Sequence, residues 1–120
     1  MEERIRRIEH RGKSVILVDA SDCTAEEATK LFEAERAVVV ASEPKSALTL
    51  TDVSRTRFDN ATIDSVKETI HVNQPHVKAA AVVGVQGLQK IIFTALITLT
   101  GRSLKLFDRR EEALDWLAEQ

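Results

Sequence analysis

Leu48 to Asn60 reads LTLTDVSRTRFDN, a short alternating strand that runs into a polar, doubly basic loop and then into a helix. Period-two alternation puts Leu48, Leu50 and Asp52 on one face of that strand and Thr49 and Thr51 on the other. Backbone N–H groups converge where a strand empties into a helix start, so a ligand, phosphate or partner is sought here first.

Upstream, Ile5 to His10 and Ser14 to Asp19 read as two strands joined by a turn around Arg11-Gly12-Lys13, a hairpin. Thr24 followed three residues later by Glu27 is a capping box, and the helix it opens carries the stripe Ala28, Leu31, Phe32, Val38 and Val39. The β-branched run from Ala37 to Ala41 is read as the end of that helix, because the polar EPKS loop arrives only afterwards.

Downstream, Ile63, Val66, Lys67 and Ile70 recur at helical spacing until Asn73-Gln74-Pro75 ends the helix. Val77 to Val83 is a nearly continuous apolar run suited to a central strand buried on both faces. Gly84 to Gly87 then turns the chain into a helix from about Leu88 to Leu99, with Gly101 as a left-handed stop. Leu104 to Phe107 forms the last strand, and Asp108 with Glu111 suggests a second capping box before Ala113, Leu114, Trp116 and Leu117. The order ββαβαβαβα predicts an α/β fold with a mostly parallel sheet, an N-terminal β-hairpin and four helices.

At 120 residues the chain fits one domain spanning 1–120, and its 43% hydrophobic and 30% charged residues are ordinary globular proportions. A net charge of -2 with both signs interspersed gives no field to attract nucleic acid or an anionic membrane. The lone Cys23 forms no internal bridge, and the start MEERIRRIEH lacks the apolar core of a signal peptide, so a cytoplasmic protein is expected.

ALTLTDVSRTRF, HVKAAAVVGVQGLQKII and GRSLKLFDRREEALDWL, in this order and spacing, resemble the bacterial SpoIIAA-like proteins, often described as a STAS or Sec14-type domain. The resemblance covers nearly the whole chain and implies a four-layer β-α superhelical fold like that of the anti-sigma-factor antagonists. In those antagonists the loop after a central strand ends in an aspartate-serine-serine-glycine signature whose serine is phosphorylated to switch partner binding. By register Asn60, Ala61, Thr62 and Ile63 stand in its place, so the signature is missing. Thr62 is the nearest phosphoacceptor, with Ser54 and Thr56 as alternatives if the loop is shifted. Phosphate at a helix start meets unpaired N–H groups and the positive end of the dipole. The other reading has Thr62 simply in the first turn with Asn60 as its cap.

Arg55 and Arg57, two apart, project to one side of an extended loop and would clamp a phosphate or carboxylate, or else stay solvated with Asp52 and Asp59 neutralising them. Two such carboxylates define no acid–base pair without burial to split them, and no enzyme is expected. Gly84 and Gly87 lack the lysine and hydroxyl of a P-loop, so turn geometry explains them. His10, His71 and His76 are too scattered for a metal set, and neither metal nor cofactor is expected. In the 88 to 99 helix, Leu88, Ile91, Ile92, Ala95, Leu96 and Leu99 make one broad stripe, while Phe93 and Ile97 fall outside its centre. That surplus marks Phe93, Leu96 and Ile97 as an apolar interface or ligand face. A regulatory or protein-interaction module, as a homodimer or with a protein partner, is the leading expectation. A small carrier for a lipid or other apolar ligand is its rival.

Overall fold

A computed structural model describes residues 4–100 and 103–120, with 99 and 100 by backbone alone. In chain order the elements are β1 (Ile5–His10), β2 (Lys13–Asp19), α1 (Ala25–Val40), β3 (Ala47–Asp52), α2 (Asn60–Asn73), β4 (Val77–Val83), α3 (Leu88–Thr100), β5 (Leu104–Phe107) and α4 (Arg110–Ala118). The five strands lie in sequence order, β1 antiparallel to β2 and the other pairs parallel. His10 pairs with Lys13, so the hairpin turns on Arg11 and Gly12 at φ 51° and 81°, the double left-handed turn whose twist matches the strands.

Sequential order dictates the layering. Crossovers of one hand, all stepping the same way across the sheet, place their helices on a single face. α1 to α3 accordingly cover Ile16, Val18, Val82 and Leu104, and only α4 covers Val15, Leu17, Leu48, Leu50, Ala79 and Ala81 on the other face. This makes three layers instead of four. The middle strand is β3, with β4 beside it in the interior of the sheet. Small Ala79 and Ala81 let α4 approach closely, and its Ala113 and Leu117, one turn apart, are wholly buried.

Two readings of helix faces and one of a cap shift. In α2 the buried residues are Thr62, Ser65, Val66, Thr69 and Asn73, whereas Ile63 and Ile70 sit at the flank and Lys67 is exposed. The cause is a polar seam with α1, where Arg36 donates to Thr69 Oγ1 and Ser65 Oγ, each at 2.9 Å, and Thr29 Oγ1 donates to Thr62 Oγ1 at 3.1 Å. In α3 the inner face is built from Phe93 and Leu96, flanked by Ile92 and Ile97, while Leu88 and Ile91 are 77% and 69% exposed. The stripe is therefore rotated towards Phe93. The expected cap at Asp108 is replaced by Arg109, which makes no side-chain capping bond, because α4 starts one residue later. Gly101 lies outside the described residues. The run ending in Val40 is helical, as expected.

Candidate functional site

Asp19 and Asp52 end adjacent parallel strands and face each other in register. Arg110, in the first turn of α4, bridges them: Nε donates to Asp52 Oδ2 at 2.7 Å and Nη2 lies 3.2 Å from Asp19 Oδ1. Asp52 is buried and also accepts the Ser54 N–H at 2.9 Å, which starts the turn out of β3. Burial pushes the Asp19 carboxyl up, but hydrogen bonds from Ser21 and the Arg110 charge outweigh it and hold it below the ordinary value. Strand-end aspartates and α4 are thereby locked into one edge of the sheet. Nothing local in the sequence marks Arg110 or pairs it with Asp19; the one signal it carries is that β2 and β3 each close on an aspartate.

Next to this lock, the β3–α2 and β4–α3 connections enclose a cleft of about 200 Å³ lined by Val53, Arg55, Thr56, Phe58, Gly84, Val85, Gln86 and Gln89. It lies at the carboxyl ends of the strands, where parallel sheets offer their crevices. Gly84 holds the two loops together: Val53 N–H donates to Val83 O at 2.8 Å, and a Cβ on Gly84 would lie 2.7 Å from both Ser54 Cα and Ser54 N.

The expected loop residues part company. Arg55, at φ 56°, forks onto Asp22 through Nε at 2.7 Å and Nη2 at 3.1 Å. Arg57 is exposed, forms no ion pair among the described residues, and is fixed by its backbone N–H on Cys23 O at 3.0 Å. The two guanidiniums thus form no pincer. Asp52 and Asp59 do not neutralise them either, because Asp52 belongs to Arg110 and Asp59 caps α2. Asp59 accepts the Thr62 N–H at 2.8 Å and is held below the usual carboxylate range by it. Asn60 is the first helical residue and exposed.

Thr62 has no exposed surface, and its hydroxyl is engaged with Asp59, Thr29 and the Ala25 carbonyl. Thr56 Oγ1 donates to Ala20 O at 2.7 Å. Ser54 is half-buried and its hydroxyl carries none of the loop's hydrogen bonds. Of the three hydroxyls that of Ser54 makes no hydrogen bond among the described residues, and it is packed against Gly84. Burial raises the Cys23 thiol, which is 2% exposed. No group of three or more metal-ligating side chains forms among the described residues, and none of the described helices is long and apolar enough to cross a membrane.

Phe93 and Leu96 face the core, and Phe93 lines a shallow apolar groove between α2 and α3. Phe32, Val53, Val66, Ile70, Ala80 and Val82 line the same hollow, whose volume is about 50 Å³.

A sequentially ordered, mostly parallel sheet with three crossover helices on one face, one closing helix on the other and a loop-lined cleft at its carboxyl edge defines a three-layer α/β domain. The SpoIIAA-like family model matches residues 1–118, and the chain belongs to that family. Its fold is similar to the crystal structure of an uncharacterized protein from the DUF3478 family with a SpoIIAA-like fold, from Shewanella loihica. That likeness has a TM-score of 0.69 at 16% identity and covers 94% of this chain and 91% of that one. No curated protein matches the chain.

Proposed function

We propose that this protein is a non-enzymatic interaction module that pairs with a second copy of itself through the outer face of α3, beside the carboxyl-edge cleft. The observation that carries this reading is the pair Leu88 and Ile91, one turn apart, each more than two-thirds exposed. Apolar side chains so placed lose most by staying in water and gain most from a partner. Thr94, Ala95 and Thr98 continue the exposed face, whose charge is confined to Lys90. A two-fold contact sets identical surfaces against each other, and a nearly uncharged one does so without repulsion. Gln86 and Gln89, with Arg55 and Thr56 across the cleft, supply a polar rim of the kind that surrounds interface cores.

The Ser54 hydroxyl lies against Gly84 where the two connections touch, and a phosphate on it would have to part them. The family's serine signature is absent, so this switch rests on the Ser54 hydroxyl being free of hydrogen bonds.

The groove between α2 and α3 favours a second reading, an apolar-ligand carrier. Its hollow of about 50 Å³ is far below the roughly 300 Å³ of a drug-sized pocket, which ranks it second.

Native mass spectrometry of untagged protein purified from its own cells, with a denatured spectrum alongside, tests these readings together. A bare dimer that Leu88→Asp with Ile91→Asp converts to a monomer of unchanged melting temperature is the expected result. A monomer at every concentration overturns the pairing, and a monomer holding a releasable apolar molecule promotes the carrier.

A further inference from the structure

Asn73, the last residue of α2, is 4% exposed, and its Oδ1 is a buried acceptor without a hydrogen-bond partner among the described residues. Its Nδ2 donates to Glu35 Oε2 at 3.2 Å across the seam with α1. Glu35 is itself buried. As a carboxylate it offers Asn73 nothing but lone pairs, and the amide oxygen stays orphaned.

Around this pair, Lys45 of the α1–β3 connection donates through Nζ to the Gln74 carbonyl at 3.4 Å, and the Thr49 hydroxyl lines the hollow that Asn73 borders without bonding Oδ1. Arg36, adjacent on α1, spends its guanidinium on Ser65 and Thr69. On α2, Asp64, Lys67, Glu68 and His71 are all exposed and outside the seam. The strand residues beneath the two helices, Ile16, Val18, Thr49 and Thr51, do not ionise. His76, in the α2–β4 connection, holds the Ser42 carbonyl through Nδ1 at 2.8 Å. Because Asn73 Nδ2 already holds one Glu35 oxygen, an acid proton on Glu35 is a donor that fits the orphaned oxygen.

We propose that Glu35 and Asn73 form a proton-operated clasp between α1 and α2. It is closed when protonated Glu35 and the Asn73 amide exchange two hydrogen bonds, and loosened when that proton leaves to water. A carboxylic acid and a primary amide match each other as donor and acceptor, so the closed pair satisfies every polar atom it buries. The ionised pair leaves one acceptor unpaired beside a charge in a low-dielectric seam, and the seam relieves this by admitting water. Desolvation raises the Glu35 carboxyl from 4.5 to about 7, against the opposing pull of Arg36 and Asn73, which puts the transition near neutrality. The clasp lies at the C-terminal end of α2, the end away from Asp59 and Thr62, and the loosened segment is the last turns of α1 and α2.

Carbon-13 labelling of glutamate side chains, assigned by comparison with Glu35→Gln, reads the proton directly. The Glu35 carboxyl in the folded protein should titrate near the value of about 7. Amide exchange in the final turns of α1 and α2, corrected for intrinsic base catalysis, should accelerate through the same midpoint. The melting temperature of the wild type should fall by roughly 5–10 °C between about pH 5.5 and 8.5, and that of Glu35→Gln, which keeps a donor for Asn73 Oδ1, should not. His10, His71 and His76 are common to both proteins and cancel in the difference. A Glu35 carboxyl titrating in the ordinary range, or exchange that ignores its ionisation, overturns the clasp. Should Glu35→Gln fail to fold, assignment through an Asn73→Ala variant leaves the wild-type titration decisive.

Discussion

Thr62 stands in the first turn of α2, where its hydroxyl ties that helix to α1. Its register and its place at a helix start mark it as a phosphoacceptor, yet its hydroxyl serves Asp59, Thr29 and Ala25 in a site with no exposed surface. Thr62→Val, which keeps the volume and deletes the hydroxyl, should cost about 1–2 kcal/mol in urea unfolding. Thr62→Asp should cost more, because it buries a charge. Tolerance of Thr62→Asp would return Thr62 to the surface. Gly84 is under a different constraint. At φ 87° with Ser54 backbone 2.7 Å from any Cβ, Gly84→Ala should cost about 3 kcal/mol or more by combining left-handed strain with a backbone clash. The two glycines flanking the turn were visible in the sequence. The second loop pressed against Gly84 was not, since Ser54 comes from a connection thirty residues earlier in the chain.

Elements were legible where periodicity and caps agreed. The Thr24–Glu27 capping box forms with both bonds present, and the β-branched tail of α1 stays helical because neighbouring turns and Phe32, Leu31 and Val39 anchor it. Where the apolar set was broad, as in α3, the pattern allowed several faces and packing chose one. Phe93 is the larger side chain and meets Phe58 edge-on with centroids 6.0 Å apart, so it turns inward and Leu88 and Ile91 turn out. α4 has no side-chain cap and is short, which throws weight on Arg110. Arg110→Ala leaves Asp52 buried without its cation and should cost about 2 kcal/mol, less than the 3–5 kcal/mol of a fully buried pair because Arg110 is partly solvated. Chemical denaturation checks this, and a loss below about 0.5 kcal/mol would show that α4 is held by Ala113 and Leu117 alone.

For the whole molecule, two sets of carboxyls bracket the pH range of stability. Asp19, Asp59 and Asp115 are held below their ordinary values, each by hydrogen bonds that outweigh burial, so their contributions are present above about pH 4 and lost as pH falls through the folded values. Glu35 is displaced the other way. Its neutral form is the one the fold favours, so stability is full below its unfolded value near 4.5 and declines as pH rises towards about 7. The melting temperature should therefore peak on the acid side of neutrality, near about pH 5. A maximum at or above about pH 7 in a calorimetric series would contradict this balance.

The sequence by itself determined the order and type of the elements, the parallel sheet with its N-terminal hairpin, and the loop after β3 as part of the exposed edge. Those properties follow from local periodicity, turn chemistry and caps, which act over a few residues. The tertiary structure decided which face of α2 and α3 is buried, that Asp52 belongs to Arg110 and Arg55 to Asp22, and that Glu35 meets Asn73. Each of these pairs joins residues more than thirty apart in the chain. Their partners are set by the crossover geometry of the sheet, for which no short-range pattern in the sequence is a substitute.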